Sequence, residues 1–233
     1  MKQNQKITLK NNTITSIGKS SEGFQYVKYF VKSEKNIKSF LDIGCGNGNL
    51  INLMNQNKIK YLGVDADAGI YKKTKNKFIK YFKDGYTTEK FLKKHQKKYD
   101  CVVLMDVLEH TDKFDELFKI ALKKSNKYVM VGLPNEEYLL NRLKFLVGQG
   151  IPTHGLDMVG TKPGHKHQWL IQYDKSLSIL SKCAKHFNFK LHRKYFFITL
   201  PNNFIKRIIY ILITFLMTNK LKMGNFCFIF KKI

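Results

Sequence analysis

The sequence predicts an open α/β fold, a central sheet of mostly parallel strands with helices on both faces. Three stretches carry that expectation. Ser39 to Ile43 is mostly apolar and runs into a turn with glycines at alternate positions, Gly44, Gly46 and Gly48. Tyr61 to Asp65 is a second apolar run, and it ends in an acid. Tyr99 to Met105 is a third, followed by Phe114, Leu117, Phe118, Ala121 and Leu122 at the i, i+3, i+4, i+7, i+8 spacing of an amphipathic helix. Strands buried on both faces read as unbroken apolar runs of this kind. A chain of 233 residues fits one such domain with a small insertion.

The glycine turn is the most informative element. Each glycine lets the backbone take positive φ, or lets a ligand approach where a Cβ would stand. The helix that follows, from about Asn49, aims its amide-rich N-terminus over the turn. The spacing is G-x-G-x-G, not the G-x-G-x-x-G of dinucleotide sites. Asp42 stands two residues before the first glycine. A carboxylate there would repel a pyrophosphate but suits a ligand carrying an ammonium and a sulfonium. Asp65 lies roughly 20 residues past the turn, where a carboxylate can accept from both ribose hydroxyls.

The segment "LDIGCGNG" (41–48) resembles the first motif of the class I S-adenosylmethionine-dependent methyltransferases, and "GVDAD" (63–67) is similar to their second. Asp106-Val107-Leu108-Glu109-His110, at the end of the fourth strand, resembles the spelling "VLEH" frequent in the small-molecule and glycan branch. The resemblance covers about residues 36 to 135, and the ends only by layout. It implies a doubly wound seven-stranded sheet of order 3-2-1-4-5-7-6, with strand 7 antiparallel and a lid insertion after strand 5. It implies S-adenosylmethionine as cofactor. Asp42, Gly44, Cys45, Gly46 and Gly48 would hold the methionine end, and Asp65 with Ala66 the ribose. Asp84, Met105, Asp106 and Val107 would flank the adenine or the methyl group. Asp67 is better placed to cap the next helix than to replace Asp65.

Around this core, residues 1–19 are polar and Lys/Asn-rich, and read as a loose arm before a single domain over 20–233. Ser20-Ser21-Glu22 starts a helix whose apolar side carries Phe24, Val27, Tyr29, Phe30 and Val31. Phe78 to Phe82 is the third strand, with Asp84-Gly85 at its end and Thr87 capping a helix that carries Phe91 and Leu92. Tyr128 to Leu133 is the fifth strand, ended by Pro134. Residues 135–173 form the lid, a helix around Tyr138 to Val147 and then a Gly/Pro/His-rich loop. Asp174 to Phe187 is a helix, Phe189 to Leu200 the sixth strand, and Asn225 to Lys231 the closing strand.

Methyl transfer asks the enzyme to align the acceptor atom with the methyl–sulfur bond and to exclude water. A base is needed only for a hydroxyl or a protonated nitrogen. His167 and His165, in the lid's "GHKHQW", are candidates for that base, and Trp169 for stacking on a sugar or an aromatic ring. Glu109 and His110 are the other acid–base candidates, against a purely loop-fixing role. No metal is expected, because His165-x-His167 supplies two ligands with no placed third. No Asn/Asp-Pro-Pro-aromatic sequence follows the fourth strand, which disfavours base-flipping amino-methylating enzymes.

The formal charge is +25, yet only Arg142, Arg193 and Arg207 among the 42 basic residues are arginine. A phosphate-reading surface would use more of them. The charge therefore reads first as a solvated lysine surface, and nucleic acid as the less favoured partner. Four scattered cysteines with no C-x-x-C pair and no signal peptide point to the cytoplasm. Residues 204–218 are apolar on nearly every side and flanked by Lys206, Arg207, Lys220 and Lys222. They are too short to span a bilayer. They read either as a helix packed on the domain or in a dimer interface, or as a peripheral contact with the inner face of the membrane. The expected function is methyl transfer to a small-molecule or glycan acceptor, most plainly at oxygen, with surface-polysaccharide or lipid-linked precursors as candidates. The alternatives are an RNA methyltransferase and a non-catalytic cofactor-binding or membrane-docking protein. The oligomeric state is left open.

Overall fold

The structure, a computed structural model, describes residues 6–66, 77–151, 154 and 166–233. Nine strands form one mixed sheet: β1 (Ile7–Lys10), β2 (Thr13–Ile17), β3 (Ser39–Ile43), β4 (Lys60–Asp65), β5 (Ile79–Tyr81), β6 (Tyr99–Met105), β7 (Ser125–Pro134), β8 (Phe189–Leu200) and β9 (Asn225–Lys232). Their order is β1-β2-β8-β9-β7-β6-β3-β4-β5. The five strands from β5 to β7 run parallel. β9 is antiparallel to both of its neighbours, β7 and β8.

The expected count of seven strands is corrected to nine. Both extra strands come from the segment expected to be a loose arm. β1 and β2 pair antiparallel, and Asn11 and Asn12 between them have φ of 47° and 61°. Two residues in the left-handed region make the tight turn that suits the twist of a hairpin, and Asn tolerates it best after Gly. β2 then pairs parallel with β8, which seals Ile14 and Ser16 completely. The Asn-Asn pair between two alternating segments was the signal for this hairpin.

Each strand sends alternate residues to opposite faces. On one face Leu41, Val102, Leu104, Val129, Val131, Phe226, Phe228 and Phe230 form a core. It is covered by α3 (Gly85–Lys94), α4 (Phe114–Lys124) and α6 (Tyr173–Lys185) through Leu92, Phe118, Ala121, Leu180 and Ala184. On the other face Phe40, Cys101, Val103, Met130, Cys227 and Ile229 meet α1 (Glu22–Ser33) and α2 (Ile51–Gln56) through Val27, Phe30, Leu53 and Met54. Each such side chain contributes about 1.5–3 kcal/mol by leaving water, so the sheet is held from both sides.

Two further helices lie at the margin of this core, one of them reaching it through Tyr210. α5 (Leu139–Leu146) and α7 (Phe204–Thr214) follow β7 and β8, and α8 (Asn219–Lys222) leads back to β9. Within 204–216 only Thr214 is buried, and Leu212 and Leu216 are 69% and 92% exposed. The packing of 204–218 on its own domain is limited to one side, where Tyr210 meets the core and Thr214 is buried. Of the expected lid, α5 and residues 166–173 are described, while most of the loop between them lies outside the described residues.

Candidate active site

The C-terminal ends of β3, β4, β6, β7 and β8 lie along one edge of the sheet, as their shared direction requires. The glycine turn leaves β3 at this edge. Gly44, Gly46 and Gly48 have φ of 75°, 52° and 76°. At Gly44 a side chain is excluded twice, by that φ and because its Cβ would come 2.3 Å from Val107 Cγ2. Val107 thus ties the end of β6 to the turn. Asp65, at the end of β4, accepts a hydrogen bond from the Gly46 amide at 2.8 Å. The Tyr81 hydroxyl donates to the Gly46 carbonyl at 3.3 Å. Cys45 is buried, and a Cβ on Gly63 would lie 2.6 Å from its Sγ, so its role in the turn is packing. Ala66 is half-buried at the strand end.

Asp42 is 4% exposed and accepts from the Tyr61 hydroxyl at 2.7 Å. Burial pushes its carboxyl up to about 7, opposed by the Tyr61 hydrogen bond and aided by the nearby Asp65 charge. Asp84, expected near the adenine, is exposed and caps α3. Its carboxylate accepts from the Thr87 amide and hydroxyl, both at 2.7 Å. Those bonds hold it below the usual carboxylate range. Asp67 lies outside the described residues.

The second half of the site is built on the ends of β6 and β7. Asp106 follows Met105 with φ of 53°, an uncommon conformation for a residue with a side chain. Its side chain reaches solvent yet is surrounded by protein on most sides, the position of a group on the floor of a cleft. Burial raises its carboxyl, partly offset by His167. α1 closes over this point, for a Cβ on Gly23 would touch Met105 Cβ at 3.0 Å. Leu108–His110 form one turn of 3₁₀ helix. Glu109 is 1% exposed, and its Oε2 has no hydrogen-bond partner. Burial first, then the Asp106 and Glu136 charges, push its carboxyl well above the usual range.

Residues 166–169 are pinned onto this turn. The Gln168 amide donates to the Glu109 carbonyl at 2.7 Å, and Trp169 Nε1 donates to the Thr111 carbonyl, also at 2.7 Å. The Trp169 ring, 44% exposed, remains available for stacking. His110 and His167 stack edge to face at 4.8 Å between ring centres. His110 Nδ1 meets the Lys166 carbonyl at 3.1 Å, so that nitrogen carries the proton. His165 lies outside the described residues.

Sequence reasoning missed Glu136, which organises this half. It is 5% exposed, two residues past the end of β7. Its Oε1 lies 2.6 Å from His154 Nε2 and 2.6 Å from His167 Nδ1, and its Oε2 accepts from the Ile171 amide at 2.7 Å. Burial works to raise its carboxyl, but these bonds prevail and hold it below the usual range. It therefore stays ionised and fixes the His167 tautomer with Nε2 unprotonated, as a base requires. Its place directly after a strand-ending Pro134-Asn135 was the available signal. Glu22, Gln25 and Tyr26 of α1 were missed too. Gln25 Oε1 and the Tyr26 hydroxyl are buried without a partner, and the Glu22 and Tyr26 groups feel the Asp106 charge.

These features fit an aminoacyl sulfonium nucleoside. Positive-φ glycines leave backbone amides open to a ligand, Asp65 stands at the end of β4, and the unpartnered Tyr26 and Glu109 side chains feel the Asp106 charge. His167 also belongs to two groups of side chains whose chemistry could hold a metal ion. Among the described residues, Glu109, His110 and His167 have ligand atoms within 4.8 Å of one another, and so do Glu136, His154 and His167. A cavity of about 520 Å³, lined by Glu34, Lys38, Lys127 and Tyr128, opens at the opposite edge of the sheet and has no part in this site.

Solved structures share the fold. A methyltransferase dependent on the same cofactor from Archaeoglobus fulgidus is 22% identical, with 90% of this chain and 94% of that one covered at a TM-score of 0.59. The magnesium protoporphyrin IX methyltransferase of Synechocystis PCC 6803, solved with bound SAH, is 13% identical, covering 90% and 82% at a TM-score of 0.53. The small RNA methyltransferase HEN1 is 16% identical over 90% of this chain and 24% of its own, at a TM-score of 0.57. No curated protein sequence matches the chain. A family model described as a methyltransferase domain matches residues 21–194. That match spans the glycine turn, Asp65, Asp106 and the histidine cluster, and the chain belongs to this family, as an S-adenosylmethionine-dependent methyltransferase.

Proposed function

We propose that the enzyme methylates a hydroxyl of a small-molecule or glycan acceptor, with His167 as general base. The observation that carries this reading is the Glu136–His167 pair, at 2.6 Å, beside Asp106 at the edge where β6 and β7 end. S-adenosylmethionine supplies the methyl group. His167 takes the hydroxyl proton as the oxygen attacks, and Glu136 stabilises the imidazolium that results. Asp42, Gly44, Cys45, Gly46 and Gly48 hold the methionine end, Asp65 and Ala66 the ribose, and Met105, Asp106 and Val107 line the methyl. A hydroxyl, unlike an unprotonated amine, needs such a base. An acceptor on a lipid carrier would suit an enzyme working in the cytoplasm at the inner face of the membrane.

The test is transfer of labelled methyl from S-adenosylmethionine to separated pools of glycans, lipid-linked precursors and RNA. Label in the first two that His167→Ala abolishes supports the reading. Label confined to RNA, or undiminished in His167→Ala, refutes it. A second reading keeps the hydroxyl acceptor but gives Glu109, His110 and His167 a divalent cation to hold. The close approach of their ligand atoms and the unpartnered Glu109 Oε2 favour it. Titration calorimetry with Mg²⁺, Mn²⁺ and Zn²⁺ on wild type and Glu109→Gln would show heat only in wild type. No heat with any of the three removes this second reading.

A further inference from the structure

α5 and α7 leave the same edge of the sheet, after β7 and β8. Tyr138, at the start of α5, lies close enough to Tyr210 of α7 to raise its hydroxyl further. Asn135 Nδ2 donates to the Lys220 and Met223 carbonyls at 2.7 and 3.0 Å, and the Tyr210 hydroxyl donates to the Lys222 carbonyl at 3.0 Å. Along residues 204–217, Arg207, Tyr210 and Met217 are half-buried and Thr214 is buried. The rest of the α7 surface is apolar and open: Phe204, Ile205, Ile209, Leu212, Ile213 and Phe215 are each at least 50% exposed. α5 adds Phe145, Leu146 and Val147 at 70%, 81% and 71%. An apolar area of this extent on a soluble surface marks an interaction site.

We propose that α5 and α7 together form a docking surface for an anionic lipid bilayer, on the same edge as the active site. The partner goes beyond what methyl transfer requires, and it adds α5 to the single helix that the sequence points to. Three observations select a bilayer. Neither helix is long and apolar enough to cross it, so both would lie in the interface plane. Cations stand around the apolar area: Lys144 on α5, Lys206 and Arg207 in the first turn of α7, Lys220 and Lys222 on α8. Among the described residues Lys220 pairs with Asp174, while no acid pairs with Lys144, Lys206 or Lys222. Such lysines meet anionic headgroups when the apolar residues enter the acyl boundary. A second copy of the chain, by contrast, would set the same lysines face to face on bodies that each carry +25. The open apolar residues also run most of the way round α7, which suits a helix sinking into lipid better than the single stripe of a helix pair.

Co-sedimentation tests the surface without reference to methyl transfer, so its outcome is separate from that of the acceptor reading. The probes are vesicles of phosphatidylcholine alone and of phosphatidylcholine with an equal share of phosphatidylglycerol. The full chain should pellet with the anionic vesicles only, and less as salt rises. The pair Leu212→Glu with Leu216→Glu, and separately Phe145→Glu, should each weaken pelleting by about tenfold or more. These side chains are exposed, and an unchanged melting temperature would show that the variants fold. A wild type that stays in the supernatant overturns the proposal. So does equal pelleting with neutral vesicles, or pelleting that the charged variants do not reduce. A dimer in sedimentation equilibrium that Leu212→Glu with Leu216→Glu splits, with no vesicle binding, would assign the face to a second copy and overturn it too.

Discussion

Asp42→Asn should make the protein more stable and a poorer binder of its cofactor. In the native state Asp42 titrates at about 7, because it is buried. In the unfolded chain an aspartate titrates near 3.9. A folded-state value above the unfolded one means that stability is greatest below about pH 4 and falls as pH rises through 7. At pH 8 the native protein must keep a buried charge, at a cost of about 4 kcal/mol for a difference of about 3 pKa units. Asparagine has the same shape, and its carbonyl can still accept the Tyr61 hydroxyl. It removes the charge and with it most of that cost. For a chain of this size, about 4 kcal/mol corresponds to a rise in melting temperature of about 10 °C.

The assay is thermal unfolding from pH 5 to 8, with and without S-adenosylhomocysteine, which carries the ammonium but no sulfonium. Without ligand, the Asn variant should lead wild type at pH 8, and at pH 5 its lead should shrink to about a third of that. With ligand, wild type should gain more, because the ammonium compensates the Asp42 charge. A variant that melts at or below wild type at pH 8 would refute the burial argument. An equal ligand-induced rise in both would refute Asp42 as the ammonium's partner, whatever the stabilities.

Three further outcomes follow from the geometry. Asp65→Ala should lose the rise given by saturating S-adenosylhomocysteine, which at about 100 times its dissociation constant is worth about 2.7 kcal/mol in wild type; a full rise in the variant would remove Asp65 from the site. Glu136→Gln should lower kcat by about 10²-fold or more while leaving the KM for S-adenosylmethionine near wild type. A kcat that stays near wild type would make Glu136 merely structural. Gly44→Ala should destabilise by about 1–3 kcal/mol through its positive φ and its clash with Val107. Val107→Ala should restore part of that loss, and no rescue would mean that φ alone excludes the side chain.

The glycine turn and the placing of Asp65 were legible because these residues are local in sequence and carry their own backbone demands. Gly44 must have positive φ, Asp65 must end a strand, and both requirements leave a mark in the spelling. Asp84 shows the limit of this kind of reading. An acid before a glycine at a strand end fits an adenine ligand or a helix cap equally, and only Thr87 three residues on tips it to the cap. The hairpin at residues 7–17 was hidden by its polar composition, since an edge strand buries one face at most and β1 buries less. Glu136 was hidden for another reason. Its function lies in bonds to His154 and His167, 18 and 31 residues away, and no local pattern records such a pairing. The exposed face of α7 was visible as an apolar run, but whether the run met the core could be decided only by the fold.

The distribution of charge at the site leads to a last expectation. The chain has 42 basic residues and 17 acids, yet Glu22, Asp42, Asp65, Asp106, Glu109 and Glu136 all gather about one edge of the sheet. Burial raises Glu22, Asp42, Asp106 and Glu109, and a neighbouring acid adds to it at Glu22, Asp42 and Glu109. S-adenosylmethionine brings a sulfonium to this place, and the product lacks it. A unit charge about 6 Å from a carboxylate is worth about 3 kcal/mol at an effective dielectric constant of about 20. Partial protonation of the acids reduces this, and about tenfold tighter binding of substrate over product is expected. Sinefungin, with an amine in place of the sulfonium, should share the advantage, and raised salt should narrow it for all cationic ligands. Calorimetry with the three ligands at pH 7.5 decides the matter. Equal affinities for sinefungin and S-adenosylhomocysteine would mean that these acids face the acceptor and contribute nothing to reading the sulfonium. Tighter binding of both cations would make the acidic edge a device that favours the loaded cofactor and releases the spent one.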